Sequence, residues 1–248
     1  MKLRLLTAVI CITSAAVHAA PIAANIEAAM AAESRPAGDA ARDANRLPVE
    51  TLTFFGLEDD MRVLEIIPGG GWYTRLLAPA LRDSGELFVA IGTGRVAERL
   101  LGEPGFDKVT VLDPEIRFNR DGPFRLNSAT EPFAFDVADL DMVLTFRNLH
   151  NFDKKTRDYM NKAVFDALKS GGIYGVVDHT ARHNEPINTD NRRRIDPVKV
   201  IAELTAIGFE LVAVSDLHYR PQDTLTLEVG DAAVTGQTDR FTFKFRKP

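Results

Sequence analysis

Cysteine is nearly absent from this chain. The single one, Cys11, falls within the first twenty residues. If that segment is removed, disulfides, thiolate metal sites and cysteine nucleophiles are excluded together. Stability then has to come from an apolar core, and 45% hydrophobic residues supply one. After the N-terminus no apolar run approaches the roughly 20 residues needed to span a bilayer. An excess of basic charge is also missing, with 30 Lys and Arg against 35 Asp and Glu for a net charge of −5. That balance gives no support for nucleic acid or an anionic membrane as partner. The one basic run, Arg192-Arg193-Arg194, lies among polar residues and reads as a solvated loop. Internal repeats and low-complexity linkers are absent too, so the length suits one α/β domain.

The N-terminus is distinct in kind. Lys2 and Arg4 precede a mostly apolar run from Leu5 to Val17, and Val17-His18-Ala19 places small residues where a signal peptidase requires them. This is a secretory signal pattern, with cleavage expected after Ala19. It predicts a periplasmic or secreted protein with no membrane span after cleavage. Loss of Lys2 and Arg4 makes that protein two charges more acidic.

Residues 20–56 read as an N-terminal helical segment. Ile22, Ile26, Ala29 and Met30 keep helical spacing, and a second helix opens at Pro48 and closes at Gly56. Between them Arg35, Asp39, Arg42 and Asp43 form either a lid over a pocket or an ion-paired surface. Residues 57–248 then alternate strand and helix. Short apolar strands are expected at Val63–Ile67, Leu87–Ile91, Val109–Leu112, Met142–Phe146, Ile173–Val177 and Phe209–Val214. Gly171-Gly172 is expected to stop the helix before the fifth strand. After a long connection, Phe241–Phe245 alternates as a half-buried strand does, which suits an antiparallel edge.

Continuous apolar strands separated by helices call for a mostly parallel sheet covered on both faces. The expected fold is a Rossmann-like, doubly wound α/β sheet of seven strands. In such sheets ligands bind beyond the carboxyl ends of the strands. That rule singles out the exits Pro68–Tyr73, Gly92–Arg95, Arg147–Phe152 and Asp178–Arg182.

The first exit carries a resemblance. Val63-Leu64-Glu65-Ile66-Ile67-Pro68-Gly69-Gly70-Gly71 resembles the first motif of class I S-adenosylmethionine (SAM)-dependent methyltransferases, an acidic residue followed by glycines two, four and six positions on. Glu65, Gly69 and Gly71 match, and Ile67 stands where the first glycine belongs. Leu168-Lys169-Ser170-Gly171-Gly172 resembles the turn before the fifth strand in those enzymes. Pro68 to Thr74, taken with Asp141 to Asn151, is similar to a group of bacterial methyltransferases, many of them exported. The resemblance implies SAM as cofactor, held around Glu65, Pro68, Gly69, Gly70, Gly71, Trp72, Tyr73 and Gly92. It also implies methyl transfer to a small-molecule acceptor. At the second strand's end, where such enzymes place a ribose-binding acid, this chain has Ala90-Ile91-Gly92-Thr93.

Two polar clusters can carry chemistry. In Arg147-Asn148-Leu149-His150-Asn151, His150 suits a general base, Arg147 an oxyanion clamp, and Asn148 a positioning group. The same segment can instead serve as a helix cap through Asn151 or Asp153. Asp178-His179 can form an acid–base couple, join His150 around a metal, or only hydrogen-bond locally. Trp72 and Tyr73 either wall the cofactor or pack the helix start. A binding module that lost SAM, and a metal or acid–base enzyme built on His150, Asp178 and His179, remain the alternatives to methyl transfer.

Overall fold

A computed structural model of the chain describes residues 21–248; the expected signal peptide, residues 1–19, lies outside them. Four helices open the described chain: α1 (Pro21–Met30), α2 (Ala37–Ala40), α3 (Asp43–Arg46) and α4 (Pro48–Phe55). Strand and helix then alternate through β1 (Arg62–Ile66), α5 (Thr74–Leu81), β2 (Glu86–Ala90), α6 (Gly94–Arg99) and β3 (Val109–Leu112). The proline-bearing stretch that follows forms only a small ladder, β4 (Phe118–Asn119) with β5 (Ser128–Ala129). The main sheet resumes with β6 (Leu140–Phe146), a 3₁₀ turn (Leu149–Asn151) and α7 (Lys154–Ala167). It finishes with β7 (Leu168–His179), α8 (Pro197–Ile207), β8 (Glu210–Ser215) and β9 (Arg240–Arg246).

Seven strands make one sheet in the order β3-β2-β1-β6-β7-β9-β8. The pairs from β3 to β7 are all parallel, and β9 runs antiparallel to both its neighbours. The antiparallel strand therefore lies at the expected end of the sheet, one place in from the rim. The connection from residue 216 to 239 carries the chain back across so that β9 inserts between β7 and β8. On β9, Phe241, Phe243 and Phe245 are buried together on one face. On the rim strand β8, Val212 and Val214 stay exposed.

Because side chains alternate across a strand, the sheet separates two cores. Val63, Met142, Leu144 and Val177 face α1, α4 and α5, meeting Ile26, Phe55 and Leu76. Leu64, Val143, Tyr174 and Val176 face the other way, onto α7 and α8 through Met160, Val164 and Leu204. Parity along β1 sends Glu65 to the first of these faces, the one covered by the N-terminal helices.

Two expectations change in detail. The helix before β7 already ends at Ala167, and Gly171-Gly172 sit inside β7 at an irregularity opposite Leu140–Met142. The run Arg192–Arg194 is a solvated loop only in part, with Arg192 exposed. Arg194 is fully buried and pairs with Asp223 through two contacts of 2.8 and 3.0 Å, while Arg193 pairs with Glu228. A charge on each partner, satisfied by a planar fork, is what allows an arginine to leave water.

Candidate functional site

Three neighbouring strands leave the sheet through one residue each in the left-handed conformation. These are Ile67 after β1 (φ 59°), Ile91 after β2 (φ 63°) and Arg147 after β6 (φ 63°). Such angles are outliers for a β-branched residue, and strain of this kind gathers at functional sites. The amides of Ile67 and Arg147 still extend the sheet ladder, donating to Ala90 O and Val177 O at 2.8 and 2.7 Å. The chain then turns sharply away, opening a cleft at the carboxyl ends of β1 and β6. Asn148 bridges the two exits by donating to Ile67 O at 3.2 Å.

A cavity of about 190 Å³ occupies this cleft. Its walls include Glu65, Pro68, Gly69 and Gly70 from the first exit, and Arg147 and Asn148 from the β6 exit. Trp72 and Tyr73 close one side, and Arg42 and Arg46 of the N-terminal segment reach in from above. Two residues named with the glycine turn stand apart. Gly92 does not line the cavity, and Gly71 serves packing. A Cβ on Gly71 would come within 2.4 Å of Leu100 Cδ1, at a φ of 78°. Gly69, with φ 61°, faces open space, so the backbone there can approach a ligand closely.

Glu65 is buried on the cavity floor, where Thr74 Oγ1 donates to its Oε2 at 2.6 Å. Burial pushes its carboxyl up to about 7, against the opposing pulls of the Thr74 hydrogen bond and the Arg46 charge. Tyr73 stacks on Phe146 with ring centroids 3.5 Å apart, and burial raises its phenol to about 12. The Trp72 indole donates to Asp39 O at 3.0 Å while the Arg46 guanidinium lies over its ring at 4.3 Å. Trp72 thus both packs the N-terminal segment and walls the cavity.

The same segment carries ion pairs. Arg35 grips Asp43 with two bonds of 2.6 and 2.5 Å, and Asp39 pairs with Arg42 and with Arg75. Arg42 and Arg46 nevertheless line the cavity, so the surface and covering roles coexist. His218 fixes Arg46 from behind. Its Nε2 donates to Arg46 O at 3.0 Å and its Nδ1 accepts from Thr242 Oγ1 at 2.7 Å. Burial lowers this imidazole to about 4.

Beyond the cavity lies the acid–base cluster. His150 Nδ1 is 2.5 Å from Asp178 Oδ1, and His150 N donates to Asp178 Oδ2 at 3.1 Å. His179 N donates to the same carboxylate at 2.7 Å. The His179 ring lies 5.6 Å from that of His150 and meets Thr238 Oγ1 through Nδ1 at 2.8 Å. Burial first, and the neighbouring His150 and Arg240 next, hold His179 well below the usual histidine range. Of the two expected cap residues it is Asp153 that caps the helix, accepting from Thr156 N at 2.8 Å. Capping and a site therefore occupy the same segment without competing. Among the described residues no group of three or more His, Cys, Asp or Glu side chains is placed to hold a metal ion.

Arg46, Arg240, His218 and Thr238 were not marked in the sequence. They come from α3, the start of β9 and the connection before it, and only the tertiary fold brings them to this rim.

Solved structures place the architecture. A SAM-dependent methyltransferase from Aquifex aeolicus superposes with a TM-score of 0.57 at 14% identity, covering 90% of this chain and 97% of that one. The chain has the class I methyltransferase fold. The glycopeptide N-methyltransferase MtfA complexed with sinefungin is similar at a TM-score of 0.54 and 18% identity, over 83% of this chain and 87% of its own. The [4+2]-cyclase SpnF is similar to the same degree, at 0.55 and 18%, over 82% and 80%. A methyltransferase fold thus appears under a name that states a different reaction, and the reaction has to be argued from the site. No protein-family model matches the chain, and no curated protein matches it. Among the described residues no helix is long and apolar enough to cross a membrane.

Proposed function

We propose that this chain is a SAM-dependent methyltransferase acting on a small-molecule acceptor outside the cytosol. The observation that carries the reading is Glu65, a buried carboxylate on the floor of the cavity, directly below the open backbone of Gly69 and Gly70. On this fold that pairing suits the amino-acid end of SAM. Glu65 would hold the ammonium, and the glycine turn would admit the cofactor against the backbone. At the other end the fit is thinner, since the β2 exit Ala90-Ile91-Gly92-Thr93 offers no carboxylate to the ribose.

Bound SAM supplies a methyl group activated by a sulfonium. The chain's own part is alignment, exclusion of water and, for a hydroxyl or amine acceptor, removal of a proton. His150 suits the last task. Asp178 anchors its Nδ1, which leaves Nε2 as the nitrogen free to take a proton. Tyr73, Phe146 and Trp72 wall the cavity with apolar surface, and the segment carrying Arg42 and Arg46 covers it. The supply of SAM outside the cytosol is then part of the physiology of this protein.

Calorimetric titration with SAM and with its demethylated product tests the reading. Micromolar binding supports it, and absence of binding at millimolar ligand refutes it. Export is tested separately: fractionation with mass measurement should find a periplasmic or secreted protein beginning at Ala20.

A second reading has one observation in its favour. The His150–Asp178 couple is complete without any cofactor, so an acid–base enzyme built on this cluster beside the cavity, or a binding module that has lost SAM, is the alternative. Failure of SAM to bind, with loss of function on mutating His150, would favour it.

A further inference from the structure

The upper part of the cavity is electrostatically unfinished. Arg46 is 6% exposed, stacked on Trp72, and lines the cavity together with Arg147. Arg240, also 6% exposed, stands at the same rim, in register with His179. Among the described residues, none of these three guanidinium groups is ion-paired to a carboxylate. The head of Arg240 reaches only the backbone, donating to Asn45 O at 3.0 Å and Gly236 O at 3.3 Å, and its Nε is buried with no partner. The acids nearby are too few. Asp178 is committed to His150 and His179, and burial leaves Glu65 only partly ionised near neutral pH. Burial first and the charge of Arg147 next lower Arg46 to about 9 and Arg240 to about 10. Unpaired buried cations are costly, and Arg46 and Arg240 are both largely withdrawn from solvent.

SAM cannot complete the balance. It brings one carboxylate against an ammonium and a sulfonium, so its arrival adds positive charge. We infer that the acceptor is itself an anion, a small organic molecule bearing a carboxylate or phosphate, gripped by Arg46 and Arg147 above the SAM site. This rests on the methyltransferase reading for the word acceptor, but the anion site stands without it. The planar fork of arginine matches either oxyanion in a bidentate manner. Trp72, Tyr73 and Phe146 in the wall favour an aromatic acid over a sugar phosphate.

The test is calorimetric titration of the purified protein with benzoate and, separately, inorganic phosphate, each with and without saturating SAM. The same titrations are run on Arg147→Gln, Arg46→Gln and, as a charge-preserving control, Arg147→Lys. Circular dichroism melts confirm that each variant is folded. The expected result is that at least one anion binds, with SAM present or absent. Each Gln variant should weaken it about tenfold or more, and the Lys variant should fall between. Tighter benzoate identifies a carboxylate acceptor, and tighter phosphate a phosphorylated one. Three outcomes overturn the inference: no binding of either anion, binding untouched by the variants, or displacement of the anion by SAM, which would give the arginines to the cofactor. If the anion binds and SAM does not, the anion site stands and the methyltransferase reading falls. If SAM alone binds, the reverse holds.

Discussion

His150 Nδ1 lies 2.5 Å from Asp178 Oδ1, with both side chains buried and 28 positions apart in the chain. The contact joins the exits of β6 and β7, two strands adjacent in the sheet, and leaves the outer imidazole nitrogen directed away from its anchor. It converts two separate polar clusters of the sequence into one acid–base unit.

The first prediction concerns that unit. His150→Asn should lower methyl transfer by about 10²–10⁴-fold, the usual contribution of a positioned base, while SAM affinity changes little. Asp178→Asn should reduce the same rate and also the melting temperature, since it disturbs two backbone donors. Because the pair acts as one device, the double variant should be little slower than His150→Asn alone. Multiplicative losses in single-turnover rates would contradict this.

Glu65 gives a pH dependence with a definite sign. Its carboxyl is raised from 4.5 to about 7 by burial, with Thr74, Arg46 and Tyr73 as its neighbours. A raised carboxyl stabilises the fold fully below pH 4.5 and loses that contribution as the pH rises through 7. The difference in stability between wild type and Glu65→Gln should therefore shift by on the order of 3 kcal/mol as the pH rises across that window, in favour of the variant. SAM binding needs the ionised form, so affinity should rise from pH 6 to pH 8 with release of a proton. Equal affinities at the two pH values would remove Glu65 from the cofactor site.

His218 behaves in the opposite sense. Its imidazole is lowered from 6.5 to about 4 by burial, so its contribution is present above pH 6.5 and fades as the pH falls towards 4. His218→Gln should melt with a flatter acid limb than wild type. The contact to Arg46 O would be weakened as well, and a looser grip on anionic ligand is expected. An unchanged acid limb in the denaturation profile would argue against a neutral buried imidazole.

Ile67 and Gly71 separate backbone strain from packing. A left-handed conformation costs a residue with a Cβ about 1–2 kcal/mol, and glycine almost nothing. Ile67→Gly should thus be more stable than Ile67→Ala by about 1 kcal/mol, although it removes one carbon more. At Gly71 the added methyl would drive into Leu100, and Gly71→Ala should lose about 1–3 kcal/mol to overpacking besides the strain. Gly69→Ala, facing open space, should lose only the strain. Denaturant midpoints with equal slopes would rank the four variants.

How far the sequence carries can be judged from these residues. The glycine turn after β1, the polar exits of β6 and β7 and the strand–helix order of the main sheet are visible because each is a local pattern of period and punctuation. Glu65 was visible through its distance from Gly69 and Gly71. Arg46 and Arg240 were not, because nothing in their own neighbourhoods marks them. They are 194 positions apart and meet only because α3 folds over the sheet end and β9 inserts beside β7. His218 was hidden for the same reason. Arg194 sits in a polar run that looks solvated in sequence, and only the fold brings its partner Asp223 onto it. The covering role of residues 32–46 stayed open because ion pairing and enclosure of a cavity use the same side chains.

The central claim is best tested by a crystal structure of the protein grown with the demethylated product of SAM. The account predicts that ligand at the β1 exit, its ammonium at Glu65 and its backbone contact at Gly69 and Gly70, with Arg46 and Arg147 free above it. Ligand absent at saturating concentration, or bound with Glu65 untouched, would contradict it and leave the fold serving a different chemistry.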